Sequence, residues 1–159
     1  MRRMLFLILL TAMAVLLSSH AASAIGWGPR AGMTMDPDQA HFGMHLDGGE
    51  IVPRLRFQPN FEMGLGDDLM VAAFNFEAIY LFDVNRDNWR PYAGGGVGMN
   101  YIDWDRGPRR DESDTDIGMN TVGGIEWDLA NGNRVFTELK FGLVDEPDLK
   151  WTVGFTFMH

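Results

Sequence analysis

The last eleven residues of the chain, 149–159, read LKWTVGFTFMH. Every second residue from Leu149 to Phe157 is large and apolar, and the residues between them are Lys, Thr, Gly and Thr. This two-residue period is typical of a β-strand whose two faces meet different surroundings. The apolar face of such a strand contacts either a protein core or lipid, and that choice decides the fold.

The same alternation recurs along the whole chain and predicts eight strands. In "AAFNFEAIYLFDV" (72–84), for example, Phe74, Phe76 and Tyr80 share one face and Asn75 and Glu77 the other. The predicted strands are 26–35, 39–47, 54–65, 70–84, 89–103, 115–128, 133–143 and 148–158. Most connections are short and rich in turn residues. The one long connection predicted is 103–114, "DWDRGPRRDESD".

Strands of about 9–11 residues have the length that a tilted strand needs to cross a bilayer. Eight antiparallel strands joined by hairpins are expected to close, because open sheet edges promote aggregation. The sequence therefore predicts an all-β, eight-stranded antiparallel up-and-down transmembrane barrel. A barrel of this size is filled by side chains, so a wide pore is not expected.

The first 24 residues have the pattern of a secretory signal peptide. Arg2 and Arg3 precede a nearly continuous apolar run from Met4 to Leu17, and Ala22-Ser23-Ala24 is a small-x-small cleavage site. We predict a signal peptide over 1–24 and an outer-membrane barrel over 25–159.

Composition excludes several kinds of protein. The chain has no cysteine, so it has neither disulfides nor a cysteine for lipid attachment after the signal. Its net charge is −9, and loss of the two signal-peptide arginines makes the remainder still more acidic. Nucleic acid is therefore not an expected partner, because phosphate binding needs a basic surface.

Alternation alone does not say which face points outward, since a soluble lipocalin-like barrel is apolar inside and a membrane barrel is apolar outside. Lysine is nearly absent, with Lys140 and Lys150 the only two, which is unusual for a solvated surface. Both lie on polar strand faces, and we expect Lys140 to point inward and to pair with Glu138 or Glu126. The aromatic residues on the apolar faces lie close to turns, as in the interfacial girdles of membrane barrels. These are Trp27, Trp89, Tyr101, Trp127 and Trp151.

The chain resembles the small outer-membrane β-barrel family, the OmpA-like and OmpX-like eight-stranded barrels sometimes grouped with porins. The resemblance rests on "PYAGGGVGMNYID" (91–103) and on "WTVGFTF" (151–157), where Thr152, Gly154 and Phe157 fit the family's C-terminal sorting signal. His159 stands where the family has an aromatic residue. The resemblance implies a Gram-negative outer-membrane protein, recognised by the barrel-assembly machinery through its last strand, with both termini in the periplasm.

That orientation implies that connections 36–39, 66–68, 103–114 and 145–148 face the outside. Most of the acidic residues lie in them. Lipopolysaccharide and the lipid bilayer are the expected partners, and a monomer is expected. Divalent cations could bridge the acidic loops to lipopolysaccharide phosphates, and Arg106, Arg109 and Arg110 could contact those phosphates directly.

Candidate catalytic residues are few. Ser113 is the only serine after the signal peptide, and no histidine lies near it in sequence. A serine hydrolase needs its serine next to a base such as histidine. His41 and His45 share a strand face about 13 Å apart, too far to bind one metal ion together. We expect them to be interior polar groups that pair with Asp47 or Arg30. An Asp–His hydrolase built from Asp36, Asp38 and His41 is the remaining enzymatic possibility.

The sequence thus predicts a non-enzymatic barrel with a plugged polar interior and acidic external loops, with no catalytic residues, cofactor or metal site. The alternatives are a narrow porin-like channel and a soluble periplasmic lipocalin-like carrier of a hydrophobic ligand.

Overall fold

The computed structural model describes residues 25–35, 38–66, 69–84, 88–105 and 111–159, without the side chains of Leu69 and 103–114. The predicted signal peptide lies outside these residues. The strands are β1 Gly26–Met35, β2 Gln39–Asp47, β3 Glu50–Val52, β4 Leu55–Gly66, β5 Leu69–Leu81, β6 Trp89–Asp105, β7 Asp111–Asp128, β8 Arg134–Val144 and β9 Leu149–Met158.

Eight of the nine strands form a closed antiparallel barrel. Consecutive strands pair from β4 through β9, β9 pairs with β1, β1 with β2, and β2 with β4, so that each of the eight has two neighbours. The ninth strand, β3, is three residues long and pairs only with β4, at the edge of the barrel. The predicted all-β, eight-stranded antiparallel architecture is confirmed.

The barrel has a polar interior and an apolar exterior. Along β5, Asn75 and Glu77 are at most 1% exposed, whereas Phe74 and Phe76 on the opposite face are 46% and 39% exposed. A soluble protein buries large apolar side chains and leaves charged ones in water. The observed arrangement is the reverse, which is the arrangement of a barrel whose outer surface contacts lipid.

The two ends of the barrel are distinguished by their connections. The terminus end carries both ends of the described chain, the connections 48–54 and 129–133, the end of β5 and the start of β6. The loop end carries the connection 145–148, the ends of β1, β4 and β6, and the starts of β2, β5 and β7. At the terminus end, the His159 backbone N–H donates to the Ile25 carbonyl at 3.2 Å. The ends of the described chain are therefore joined to each other.

Most predicted strand boundaries are correct to within a residue or two, with three exceptions. The predicted turn 47–53 contains β3, and β5 ends at Leu81 rather than at residue 84. The predicted long connection 103–114 is largely strand, because β6 and β7 stay paired as far as Asp105 opposite Asp111. The residues added to the start of β7, 111–114, read DESD and carry no apolar alternation that would reveal a strand.

Aromatic residues lie on the outer face near both ends. Trp27 packs against Phe157 at the terminus end with ring centroids 5.2 Å apart, and Trp89 lies opposite Trp127 in the β6–β7 register. Trp151 is 47% exposed close to the loop end. These positions fit the interfacial girdles predicted from the sequence. In the part of the chain that is described, no helix is long and apolar enough to cross a membrane.

Candidate functional site: the barrel interior

Alternate residues of all eight barrel strands point inward and form two groups of ion pairs. The central cluster consists of Arg30, Glu62, Glu77, Glu138, Lys140 and Lys150, all at most 4% exposed. The terminal cluster consists of Asp47, Arg56, Arg90, Glu126, Asp128 and Arg134. Each cluster has three cationic and three acidic side chains, so each is formally neutral.

Arg30 is the hub of the central cluster. Its Nε lies 3.0 Å from Glu62 Oε1, and its Nη2 donates to Glu138. Lys150 Nζ donates to the second oxygen of Glu62 at 3.1 Å. Glu62 is therefore held between two cations that come from different strands.

Lys140 completes the central cluster with partners that differ from the predicted ones. The sequence suggested Glu138 or Glu126, but Lys140 Nζ lies 2.6 Å from Glu77 and 3.7 Å from Glu62. Glu138 lies two residues before Lys140 on the same strand and is occupied by Arg30 and by the Tyr92 hydroxyl, which donates to it at 2.8 Å. The interior contacts cross the lumen, and sequence spacing does not show which strands face each other across it.

The terminal cluster closes the other half of the lumen. Arg56 makes a two-point contact with Glu126, at 2.6 and 3.2 Å, and Arg134 donates to Asp47 at 2.8 Å. Arg90 lies 3.0 Å from Glu126 and is partly exposed at the terminus end. Paired arginine–carboxylate contacts of this kind hold both partners in a defined geometry.

A small apolar group fills the interior near these clusters, formed by Ile79, Leu81, Tyr92, Val122 and Phe136. The Arg30 guanidinium lies 5.7 Å from the centre of the Phe136 ring, within the range of a cation–π contact. The Phe136 ring can occupy this position because residue 154 is glycine. A Cβ on residue 154 would lie under 3.0 Å from the nearest atom of the Phe136 ring. The glycine of the C-terminal motif is thus required for packing of the interior.

The two histidines are interior groups, as predicted, but their partners are threonines rather than Asp47 or Arg30. The ring nitrogens of His41 lie 3.0 Å from the Thr34 hydroxyl and 3.1 Å from the Thr152 hydroxyl. His45 Nε2 lies 2.9 Å from the Thr156 hydroxyl. Threonine hydroxyls on β1 and β9 contact both rings, and His45 Nδ1 has no partner. The buried carboxylates are paired with arginines and lysines instead.

Of the remaining catalytic candidates, the structure describes the side chains of Asp38 and His41. Asp38 is exposed in a turn, whereas His41 is buried with both ring nitrogens occupied. Asp36 and the arginines 106, 109 and 110 lie outside the described residues, and so does the side chain of Ser113. Within the described ranges, no group of three or more His, Asp or Glu side chains is arranged to hold a metal ion.

The interior is closely filled. One cavity of about 10 Å³ lies towards the loop end, lined by residues that include His41, Glu62, Lys150 and Pro147. That is about the volume needed for one water molecule. The soluble-carrier alternative requires an apolar calyx, and the structure has ion pairs in its place.

Comparisons with solved structures agree with this fold. The chain is similar to the N-terminal β-barrel domain of Pseudomonas aeruginosa OprF, with a TM-score of 0.73 and 12% identity over 86% of this chain and 98% of that one. It is similar to Neisserial surface protein A, with a TM-score of 0.64 and 13% identity over 86% and 94%. It is also similar to Ail, the attachment invasion locus protein of Yersinia pestis, with a TM-score of 0.61 and 14% identity over 86% and 97%.

No protein-family model matches the sequence, and no curated protein matches it. The fold is nevertheless that of the small eight-stranded outer-membrane barrels, as the resemblance seen in the sequence implied.

Proposed function

We propose that this chain is a non-enzymatic barrel of a Gram-negative outer membrane, with a plugged lumen and a structural or surface-interacting role. The observation that carries the proposal is the interior, where two neutral groups of ion pairs cross the lumen inside a barrel that is apolar outside. Ion pairs satisfied in this way fix the strands relative to one another and leave little room for solute.

The proposal includes a route to the membrane. The pattern of residues 1–24 supports export by a cleaved signal peptide, and the C-terminal strand supports recognition by the barrel-assembly machinery. In that strand Thr152 faces the lumen and Phe157 faces outward against Trp27, so both faces of the strand make contacts within the barrel. N-terminal sequencing of the purified protein should begin at Ile25.

In the membrane, the terminus end would face the periplasm and the loop end would face outward, with the barrel as a monomer. The exposed acidic residues of the 145–148 turn, Asp145 and Asp148, would then lie at the cell surface, where divalent cations would bridge them to lipopolysaccharide. A larger loss of protein stability on addition of a chelator in native membranes than in the refolded barrel without lipopolysaccharide would support that bridge, and equal losses would count against it.

The channel alternative is tested by conductance in planar bilayers. We expect no steady conductance from the refolded wild-type barrel, because Arg30, Lys140 and their carboxylate partners span the lumen. Arg30→Ala removes the largest buried side chain at the centre and should allow small current steps, whereas Arg54→Ala, an exposed arginine at the barrel edge, should not. Steady open-channel current from the wild type would overturn the plugged-barrel proposal in favour of a narrow porin-like channel.

A further inference from the structure

The β8–β9 connection, residues 145–148, folds inward across the loop end of the lumen. Its chain reversal uses the left-handed conformation of Asp145 (φ 47°). Three inward-facing glycines on adjacent strands, Gly98, Gly118 and Gly142, make room for it. A Cβ on any of the three would lie under 3.0 Å from an atom of this connection. The connection thus rests in a glycine-lined recess over the central cluster.

This arrangement places the Glu146 carboxylate inside the mouth of the barrel. Both carboxylate oxygens are withdrawn from solvent, and neither has a hydrogen-bond partner. The Oε1 atom and Asn75 Oδ1 both lie under 3.0 Å from the position that a Cβ would take on Gly98. Two hydrogen-bond acceptors therefore face each other at close range.

The orientation of Asn75 follows from the chemistry of its neighbours. The Glu77 carboxylate can only accept, so Asn60 donates its Nδ2 to Glu77 Oε2, at 2.9 Å. Asn60 Oδ1 in turn accepts from Asn75 Nδ2, at 2.9 Å. Asn75 Oδ1 is consequently left without a partner, in a side chain that is 1% exposed.

A second amide contacts this connection from β6. Asn100, two residues beyond Gly98, donates its Nδ2 to the Asp145 carbonyl at 3.2 Å, and its Oδ1 has no partner. The Asn100 side chain is 2% exposed. Asn120 on β7 has no partner for its Oδ1 or its Nδ2, but it pairs with Gly96, four register positions from Asn100 towards the terminus end. The mouth therefore has one carboxylate and two buried amides with unpartnered oxygens.

We propose that the loop-end mouth binds a calcium-type divalent cation through Glu146 and Asn75. The amide oxygen of Asn100, which already contacts this connection, and water are available as further ligands. Carboxylate, amide and water oxygens at about 2.3–2.6 Å are the ligands of Ca²⁺, which tolerates irregular geometry, whereas Mg²⁺ demands a near-ideal octahedron. The central cluster is already neutral, so Glu146 is the acid whose charge the cation would balance.

A bound cation would hold residues 145–148 across the lumen and close its outer mouth. With a single carboxylate, the site should have the weak affinity of extracellular calcium modules, on the order of 0.1–1 mM. This proposal depends on the interior geometry and not on the membrane location or the absence of catalysis.

The test is the thermal unfolding of the refolded full barrel in detergent, with EDTA or with CaCl₂ at roughly 10 mM, above the expected dissociation constant. Ligand bound only to the folded state raises its stability in proportion to the logarithm of ligand concentration. We expect Tm of the wild type to rise by about 3 °C or more and to do so at lower Ca²⁺ than Mg²⁺ concentration.

Glu146→Gln is the decisive variant. Its amide can donate to Asn75 Oδ1, so the variant should fold, be at least as stable as the wild type in EDTA, and lose the calcium response. Asp148→Asn changes an exposed acid in the same connection and should keep the response. Equal calcium responses in wild type and Glu146→Gln would assign the effect to surface acids and overturn the proposal. A wild type whose Tm does not change with Ca²⁺ would overturn it as well.

Discussion

The inner and outer faces of the same strands are stabilised in different ways. On β5, Glu77 is completely buried among Asn60 and Lys140, while its neighbour Phe76 is 39% exposed on the outer surface. The inner face depends on specific partners, because a buried charge without a partner is strongly destabilising. The outer face depends on the medium, because its aromatic side chains need lipid and few particular neighbours. Substitutions on the two faces should therefore destabilise the protein for different reasons.

The largest effect is expected for Arg30→Met. It leaves Glu138 without a cation and removes the nearer of the two cations at Glu62 Oε1, where Lys140 remains at 3.7 Å. Breaking a buried ion pair costs about 3–5 kcal/mol of unfolding free energy. Urea-induced folding and unfolding in lipid vesicles would measure the loss. The double variant Arg30→Met/Glu138→Gln should recover part of it, since an amide can still accept from Tyr92. A double variant as unstable as the single one would show that the lost charge balance is not the cause.

On the outer face, Phe76→Arg should cost about 2–4 kcal/mol in the same vesicle assay if Phe76 lies near the middle of the bilayer. Phe82 is exposed at the terminus end, just after β5, and the matched change Phe82→Arg should cost only about 0–1 kcal/mol. Equal costs at the two depths would contradict a lipid-facing outer surface.

A single added methyl group should lower stability on the inner face but not on the outer face. Gly154→Ala places a Cβ under 3.0 Å from the nearest atom of the Phe136 ring. Overpacking of this kind lowers the free energy of unfolding by about 1–3 kcal/mol. Gly123→Ala adds the same methyl group where the nearest atom is 3.9 Å away, and its stability should stay close to that of the wild type. If Gly154→Ala left the stability unchanged, the interior would have to repack easily around the added methyl group.

The smallest effect is expected for Arg54→Ala, at a residue between β3 and β4 that lies on neither face of the barrel strands. Arg54 is exposed at the terminus end, where a hydrogen bond with Tyr80 and then the nearby Asp83 carboxylate raise the pKa of its guanidinium. Exposed ion pairs contribute little to stability, so Arg54→Ala should leave Tm unchanged. A large loss would mean that the β3 region stabilises the barrel, in contrast to its position at the edge.

The sequence predicted the features that depend on period two. Strand number, closure and the inward face of Glu77 and Lys140 follow from alternation and turn residues, and the structure confirms them. The extension of β7 back to Asp111 was missed because residues 111–114 are all polar. The partners of Lys140 and His41 were missed because they depend on which strands face each other across the lumen.

The inward fold of the 145–148 connection could not be predicted either. "DEPD" is typical of an ordinary solvated turn, and its recess depends on three glycines that are far apart in sequence. Those glycines are visible in the sequence, but only the strand register brings Gly98 opposite Gly118 and places Gly142 beside them. The neutral balance of each ion cluster likewise becomes visible only once the strands are paired.

A closed barrel with lipid outside and ion pairs inside is tested most directly by the gel mobility of isolated outer membranes with and without boiling. We expect the protein to partition with the outer membrane and its mobility to change on heating, because a closed barrel resists detergent until it is boiled. A protein found in the soluble periplasmic fraction, with the same mobility before and after boiling, would mean that the barrel is not embedded in lipid.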